Sequence, residues 1–346
     1  MPVQGQPLTS LGFLTIGLFD PADPRPGHES TLQVIERGEE LGFDSVWLRN
    51  RHLQHGISSP VAVLAAATQR TSRIELGTAV IPLGWENPLR LAEDLATVDV
   101  LSGGRLQPGF SVGPPMQWEH VKGSLYPDTA EVEDFSYARV ERLMANIRGD
   151  QASTFSGTQG IETFSERVEP HAVGLIDRLW YGAGSLRSAQ WAGEAGLNLL
   201  TSSVVKAEAE DLGGIPDFAA IQRAQIDAYR AAGSGTGQGS GRVSQGLVVI
   251  PTDSATPEQA ERYRAYAASR FERTLTPQGP ARILFAPDLV GTSEEIAEKL
   301  WAHAGFQAVD EVVFALPFTF GHEDYLQILD DIAGRLGPLL GWRAGA

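Results

Sequence analysis

IELGTAVIPLGWENPLRLAEDLATVDVLSGGRLQPGFSVG, residues Ile74 to Gly113, reads as strand, loop, helix, tight turn and strand, with nearly every junction marked. Ile74 to Ile81 is rich in β-branched and small residues and almost uncharged, which suits a strand buried on both faces. Asn87 before Pro88 is the preferred order for a helix N-cap followed by proline at the first helical position. Leu91, Leu95 and Val98 recur at helical spacing, and Gly103 and Gly104 supply a left-handed stop. Arg105 to Val112 is the next strand. Strand, crossover helix and strand together make one parallel βαβ unit.

The alternation continues on both sides of this unit. Strands are expected at Phe13 to Phe19, Ser45 to Leu48, Leu179 to Tyr181, Leu197 to Leu200, Gln245 to Ile250 and Glu311 to Leu316. Helices are expected at His28 to Leu41, from Ser59 and Pro60 to Arg70, at Phe135 to Ile147, and from His322 to Leu336. Eight strands alternating with helices predict an α/β fold, a (β/α)8 TIM-type barrel, over a doubly wound sheet. Two segments interrupt the alternation, about 114–178 and 202–216. They follow strands 4 and 6, and so are expected as lid insertions on the C-terminal face of a single domain spanning 1–346. The Gly/Ser run from Gly233 to Gly241 falls on the opposite face and reads as a surface loop.

Composition narrows the function classes. With 43 acidic and 27 basic residues the net charge is -16, which argues against a nucleic-acid or anionic-membrane partner. The absence of cysteine excludes disulfides, thiolate metal sites and a cysteine nucleophile. It is compatible with a reducing cytosol, and a cytoplasmic protein is expected. The N-terminal stretch has no basic n-region, so no signal peptide is expected, and no run of some eighteen apolar residues occurs. The histidines show no ligand spacing, and no metal site is expected.

Two clusters carry possible chemistry. Trp180-Tyr181-Gly182-Ala183-Gly184-Ser185 ends a strand, and the helix from Leu186 to Ala195 opens with free N–H groups, helped by Ser185 and Ser188. Such a helix start can seat a phosphate, although serine caps are common and Ser185 by itself reads first as a simple N-cap. Arg187 occupies the third glycine position of G-x-G-x-x-G, so a dinucleotide fingerprint is not met. The second cluster, Trp47-Leu48-Arg49-Asn50-Arg51-His52, lies just past a strand. There His52 could transfer protons near neutral pH and Arg51 could steady an anion, or the segment could be a solvated loop.

Several landmarks together resemble the bacterial luciferase-like, flavin-dependent monooxygenase superfamily. They are E-x-L-G-F-D-S-V-W-L at Glu39 to Leu48, the L-G-T-A-V-I strand, N-P-x-R-x-A-E-D, D-x-L-S-G-G-R from Asp99 to Arg105, G-A-G-S, V-G-T-S-E-E-I-A and D-E-V-V-F. Their order and spacing cover almost the entire chain.

The resemblance implies a flavin ring over Thr78, Ala79 and Val80, with a non-proline cis peptide at Ala79 to Val80. It implies Ser111 and Gly113 beside the ring, and a phosphate held by Gly184, Ser185, Leu186 and Ser188. Luciferase's catalytic histidine position falls on Arg51, with His52 next to it, and its cysteine near the flavin is Ser111 here. His52 and Arg51 are the catalytic candidates. Trp85, Trp118, Trp180 and Phe318 are candidate pocket walls, or core. Asp99 and Arg105 are expected as a structural pair at the turn.

The implied activity is an FMN-dependent monooxygenase acting on a small organic molecule, using reduced FMN from a separate flavin reductase. Two alternatives stand beside it. One is a hydride-transferring relative using the deazaflavin coenzyme, its polyglutamyl tail near Arg49, Arg51 or Arg187; the other is a non-catalytic flavin-binding protein. A homodimer through the second and third barrel helices, around Pro60 to Arg70 and Pro88 to Leu101, is a further expectation of the resemblance.

Overall fold

The computed structural model describes residues 8–208, 216–233 and 241–345. Most of the expected Gly/Ser loop and part of the expected second insertion lie outside the described residues.

Eight parallel strands form the barrel: β1 Ser10–Thr15, β2 Ser45–Leu48, β3 Glu75–Thr78 resuming as Ile81–Pro82, and β4 Leu106–Gln107 resuming as Gly109–Ser111. β5 Trp180–Gly182, β6 Asn198–Leu200, β7 Val243–Pro251 and β8 Glu311–Ala315 follow. Each strand pairs in parallel with the next. β3 and β4 pair through both of their halves, and β8 returns to β1, so the ring closes.

The helices are α1 Pro24–Glu40, α2 Pro60–Thr68, α3 Pro88–Ser102, α4 Trp118–Leu125, α5 Tyr137–Arg148, α6 Leu186–Glu194, α7 Phe218–Gly233, α8 Pro257–Arg270, α9 Ser293–Ala302 and α10 His322–Asp331. The junction signals act as expected in α3. The Asn87 side chain accepts from the Leu89 and Arg90 N–H groups, and Gly103 closes the helix at φ 70°. Ser59 caps α2 in the same way.

Some boundaries differ from expectation for local reasons. β1 begins three residues earlier, because Ser10 onward pairs with β8, and it stops at Thr15, whose hydroxyl accepts from the Gly17 N–H. α1 starts one turn earlier, at Pro24, a proline suited to a first helical position. β3 is broken at Ala79–Val80 rather than continuous. Besides the two expected insertions, a third excursion follows β7: α8, then a short strand Leu289–Gly291 that pairs with the end of β7.

Asp99 and Arg105 do not pair. Asp99 binds Arg178 at 2.6 Å, while Arg105 donates to the Thr71, Ile74 and Ser102 carbonyls. A guanidinium can satisfy several carbonyls at once, and that network ties the α3–β4 turn to the α2–β3 loop.

Trp47, Trp180, Leu200 and Val313 fill the barrel, with Ala79 and Val80 packed against them. Gly77 admits the Trp47 ring, since a Cβ there would lie 2.3 Å from the indole. At the opposite end from the mouth, Arg242 bridges Glu75 and Glu311 at 3.1 and 2.9 Å and lies over the Trp180 ring.

Candidate functional site

The C-terminal ends of the strands form the barrel mouth, the face on which barrels of this kind carry their chemistry. The Ala79–Val80 peptide bond at the end of β3 is cis, at the position the family resemblance implies. Both residues are half-buried and form the upper surface of the barrel filling. Thr78 does not join them. It is fully buried, and its hydroxyl is committed to Gly109 in β4, so it supports the segment from beneath. Gly182 at the end of β5 is held close to the same place, because a Cβ there would sit 2.7 Å from the Val80 side chain.

Ser111 and Gly113 lie at the end of β4 beside this segment, with Ser111 paired to Pro82. Gly113 has φ 135° and open space where a Cβ would project. That combination leaves room for a flat group to approach the backbone.

Past the end of β5, α6 begins at Leu186. Ser185 and Ser188 form a reciprocal capping box: the Ser188 N–H donates to the Ser185 hydroxyl, and the Ser185 N–H donates to the Ser188 hydroxyl. The N-cap reading of Ser185 is therefore satisfied. The first-turn N–H groups of Leu186 and Arg187 still lack intrahelical acceptors, as at every helix start. Gly184 is exposed with nothing near its Cβ direction, while its carbonyl is anchored by Lys206 and Gln225. This open, anchored turn at a helix N-terminus fits a phosphate.

On the other side, the His52 ring stacks on Trp85, with centroids 4.2 Å apart and planes 14° from parallel. The His52 Nε2 atom is buried without a hydrogen-bond partner among the described residues. Burial holds the imidazole below its usual range, so it is neutral near pH 7 and can accept a proton. α4 of the first insertion leans over this pair, leaving a groove of about 250 Å³ lined by Leu53, Trp85, His120, Val121, Ser124 and Leu125. Glu86, next to Trp85, is pushed up to about 7 by burial and by Asp94, with Arg139 opposing.

The other expected residues divide. Arg51 and Phe318 meet at the mouth, with the guanidinium 6.0 Å from the ring centroid. Trp180 is core: fully buried, its indole N–H donates to Gln107 at 2.8 Å. Its place at the start of β5, not the end, removes it from the mouth. Trp118 packs within the insertion against Phe135 and Tyr126. Arg187 is exposed on α6. Sequence reasoning did not find Arg270, Asp288 or Glu86. The first two reach the mouth from the excursion after β7, for which the chain carries no local motif.

A closed ring of eight parallel strands with helices outside it and an open glycine turn at its mouth defines a TIM-type α/β barrel. The family model for luciferase-like monooxygenases matches residues 11–308, and the chain belongs to that family. It is 28% identical to an F420-dependent glucose-6-phosphate dehydrogenase of Amycolatopsis mediterranei over 186 residues, 51% of this chain and 54% of that protein. The chain thus spans about half the length of the curated relatives it matches. The monooxygenase RslO1 from Streptomyces bottropensis superposes with a TM-score of 0.70 at 21% identity, covering 95% of this chain and 99% of that one. The oxygenating constituent of 3,6-diketocamphane monooxygenase from the CAM plasmid of Pseudomonas putida, in complex with FMN, superposes at 0.64 with 16% identity, covering 98% of each.

Proposed function

We propose that this chain is an FMN-dependent monooxygenase that uses reduced FMN delivered by a separate flavin reductase and acts on a small organic molecule. The observation that carries the reading is the pairing, across one mouth, of the Ala79–Val80 segment with the open Gly184 turn of α6. One fits a flat ring and the other a phosphate. Ala79 and Val80 would support the ring, Ser111 and Gly113 would flank it, and Gly184 with the Leu186 and Arg187 N–H groups would hold the phosphate.

When bound, reduced flavin supplies electrons to molecular oxygen, or, in the deazaflavin form, a hydride to the substrate. The protein's part is to position and shield. Trp85 and the α4 insertion would shield one side of the mouth from water. Neutral His52, held flat by Trp85, accepts or returns a proton at Nε2.

The second reading, a deazaflavin-dependent hydride transfer, draws support from the F420-dependent relative. A flavin-binding protein without turnover is the third. Oxygen-dependent consumption of reduced FMN with product formation on a substrate panel supports the first. Turnover only with the deazaflavin coenzyme supports the second, and binding without turnover on any panel member the third. We also propose a homodimer through α2 and α3, where Val100 and Leu101 are exposed apolar residues. Light scattering at the mass of a single chain would refute it.

A further inference from the structure

The rim of the mouth carries positive charge that the proposed chemistry leaves unused. Around the Phe318 ring, just past β8, stand three guanidinium groups: Arg49 at 5.4 Å, Arg51 at 6.0 Å and Arg270 at 5.4 Å from the centroid. Arg49 and Arg51 leave the end of β2, and Arg270 ends α8. Two separate parts of the chain therefore converge on one ring. A fourth arginine, Arg273, stands beside Arg270 over Phe285.

Only Arg270 is neutralised. Its Nε donates to Asp288 at 2.6 Å, and that carboxylate is 2% exposed. Neither the Arg49 nor the Arg51 guanidinium has a hydrogen-bond or ion-pair partner among the described residues. Four arginines thus face one aspartate, in a chain whose net charge is -16. Burial, and then the neighbouring Arg51 and Arg270, push Arg49 down to about 10, still protonated at neutral pH.

Contacts with the ring offset part of the repulsion, but half-buried like charges without an anion are unfavourable. The planar guanidinium forks are donors suited to a carboxylate, phosphate or sulfonate. The location also matters. Ala79 N–H donates to the Leu48 carbonyl, so Arg49 leaves its strand one residue past the anchor of the cis segment. In the ring of strands, β8, β1 and β2 lie opposite β5, from which the α6 turn springs. The two anion seats therefore serve different groups.

We propose that Arg49, Arg51 and Arg270, floored by Phe318, form an oxyanion subsite for the substrate. The substrate is then a small molecule bearing a carboxylate, phosphate or sulfonate, whose reacting end extends toward Ala79 and Val80. The term substrate rests on the proposed function; the anion binding does not.

The test compares the full chain with its Arg49→Gln, Arg51→Gln and Arg148→Gln forms, the last altering a distant exposed arginine. Phosphate and sulfate replace chloride at constant ionic strength, and melting temperature and calorimetric binding are read. Affinity for FMN and for the deazaflavin coenzyme is measured in parallel. The expected result is saturable anion stabilisation of the wild type, weakened about tenfold or more by Arg49→Gln or Arg51→Gln and kept by Arg148→Gln. FMN and deazaflavin affinity should stay within about twofold in every form.

Anion binding that is absent, or undiminished in both mouth variants, overturns the proposal. So does a parallel loss of FMN affinity, which would give the cluster to the cofactor phosphate, or a selective loss of deazaflavin affinity, which would give it to that coenzyme's tail. Should Arg49→Gln fail to fold, Arg51→Gln carries the comparison. If the wild type binds anions but neither cofactor, the subsite stands and the flavin reading falls.

Discussion

The Thr78 hydroxyl accepts a hydrogen bond from the Gly109 N–H and donates one to the Gly109 carbonyl, both at 2.8 Å. It closes the barrel where the β3–β4 ladder is interrupted on both sides, by the cis segment in one strand and by Pro108, which lacks an N–H, in the other. One side chain thus replaces two backbone bonds directly beneath the candidate ring site.

Thr78→Val keeps the shape but strands the buried Gly109 groups. We expect a loss of about 2–3 kcal/mol, since each unsatisfied buried group costs roughly 1–3 kcal/mol. Thr78→Ser should recover most of it. Denaturant midpoints check this, and a Thr78→Val protein as stable as wild type would show that the bridge is dispensable.

Arg242 at the closed end of the barrel is predicted to be equally sensitive. Its removal leaves Glu311, 5% exposed, facing Glu75 without a cation. Arg242→Met should cost about 3 kcal/mol or more, in the range for breaking a buried pair. Arg242→Lys should rescue only partly, because one ammonium cannot fork to both carboxylates. Thermal unfolding of the three proteins reads this out.

Glu86 gives a prediction in pH. Its carboxyl is raised from 4.5 to about 7 by burial, so the folded protein holds the proton more tightly than the unfolded chain. Its contribution to stability is full below the unfolded value and is lost as pH rises from about 4.5 through 7. Relative to wild type, Glu86→Gln should therefore gain stability between pH 5 and pH 8, as melting curves at matched ionic strength would show. A constant difference across that window would contradict the assignment.

For His52, we expect His52→Ala to lower turnover by about a hundredfold, in the usual range for a positioned acid or base. Cofactor affinity should remain within a few-fold. Because burial lowers its pKa, the acid limb of the rate profile should fall below the ordinary imidazole range in wild type and vanish in the variant. Unchanged turnover would leave His52 as a packing partner of Trp85.

What the sequence made legible was local. Asn87-Pro88 and Gly103 mark α3 because caps act within one turn, and strand periodicity placed all eight barrel strands within a few residues. The cis position at Ala79–Val80 came through the family resemblance, not through local chemistry. Long-range choices stayed hidden. Asp99 takes Arg178, 79 residues away, instead of the nearby Arg105, and Trp180 faces the barrel interior instead of the mouth. Arg270 joins Arg49 and Arg51 only because the excursion after β7 folds back over Phe318. Those pairings depend on which strands become neighbours, and no residue spacing encodes that.

The most direct test of the central claim is an equilibrium titration of the purified chain with FMN and with the deazaflavin coenzyme, each oxidised and reduced, followed by absorbance and fluorescence. We predict saturable binding of at least one of them at one site per chain, with a spectral shift of the bound ring. That binding should be weakened by Gly184→Val, which fills the open turn at the start of α6. No spectral change with either cofactor at millimolar concentration would contradict the account of the barrel mouth.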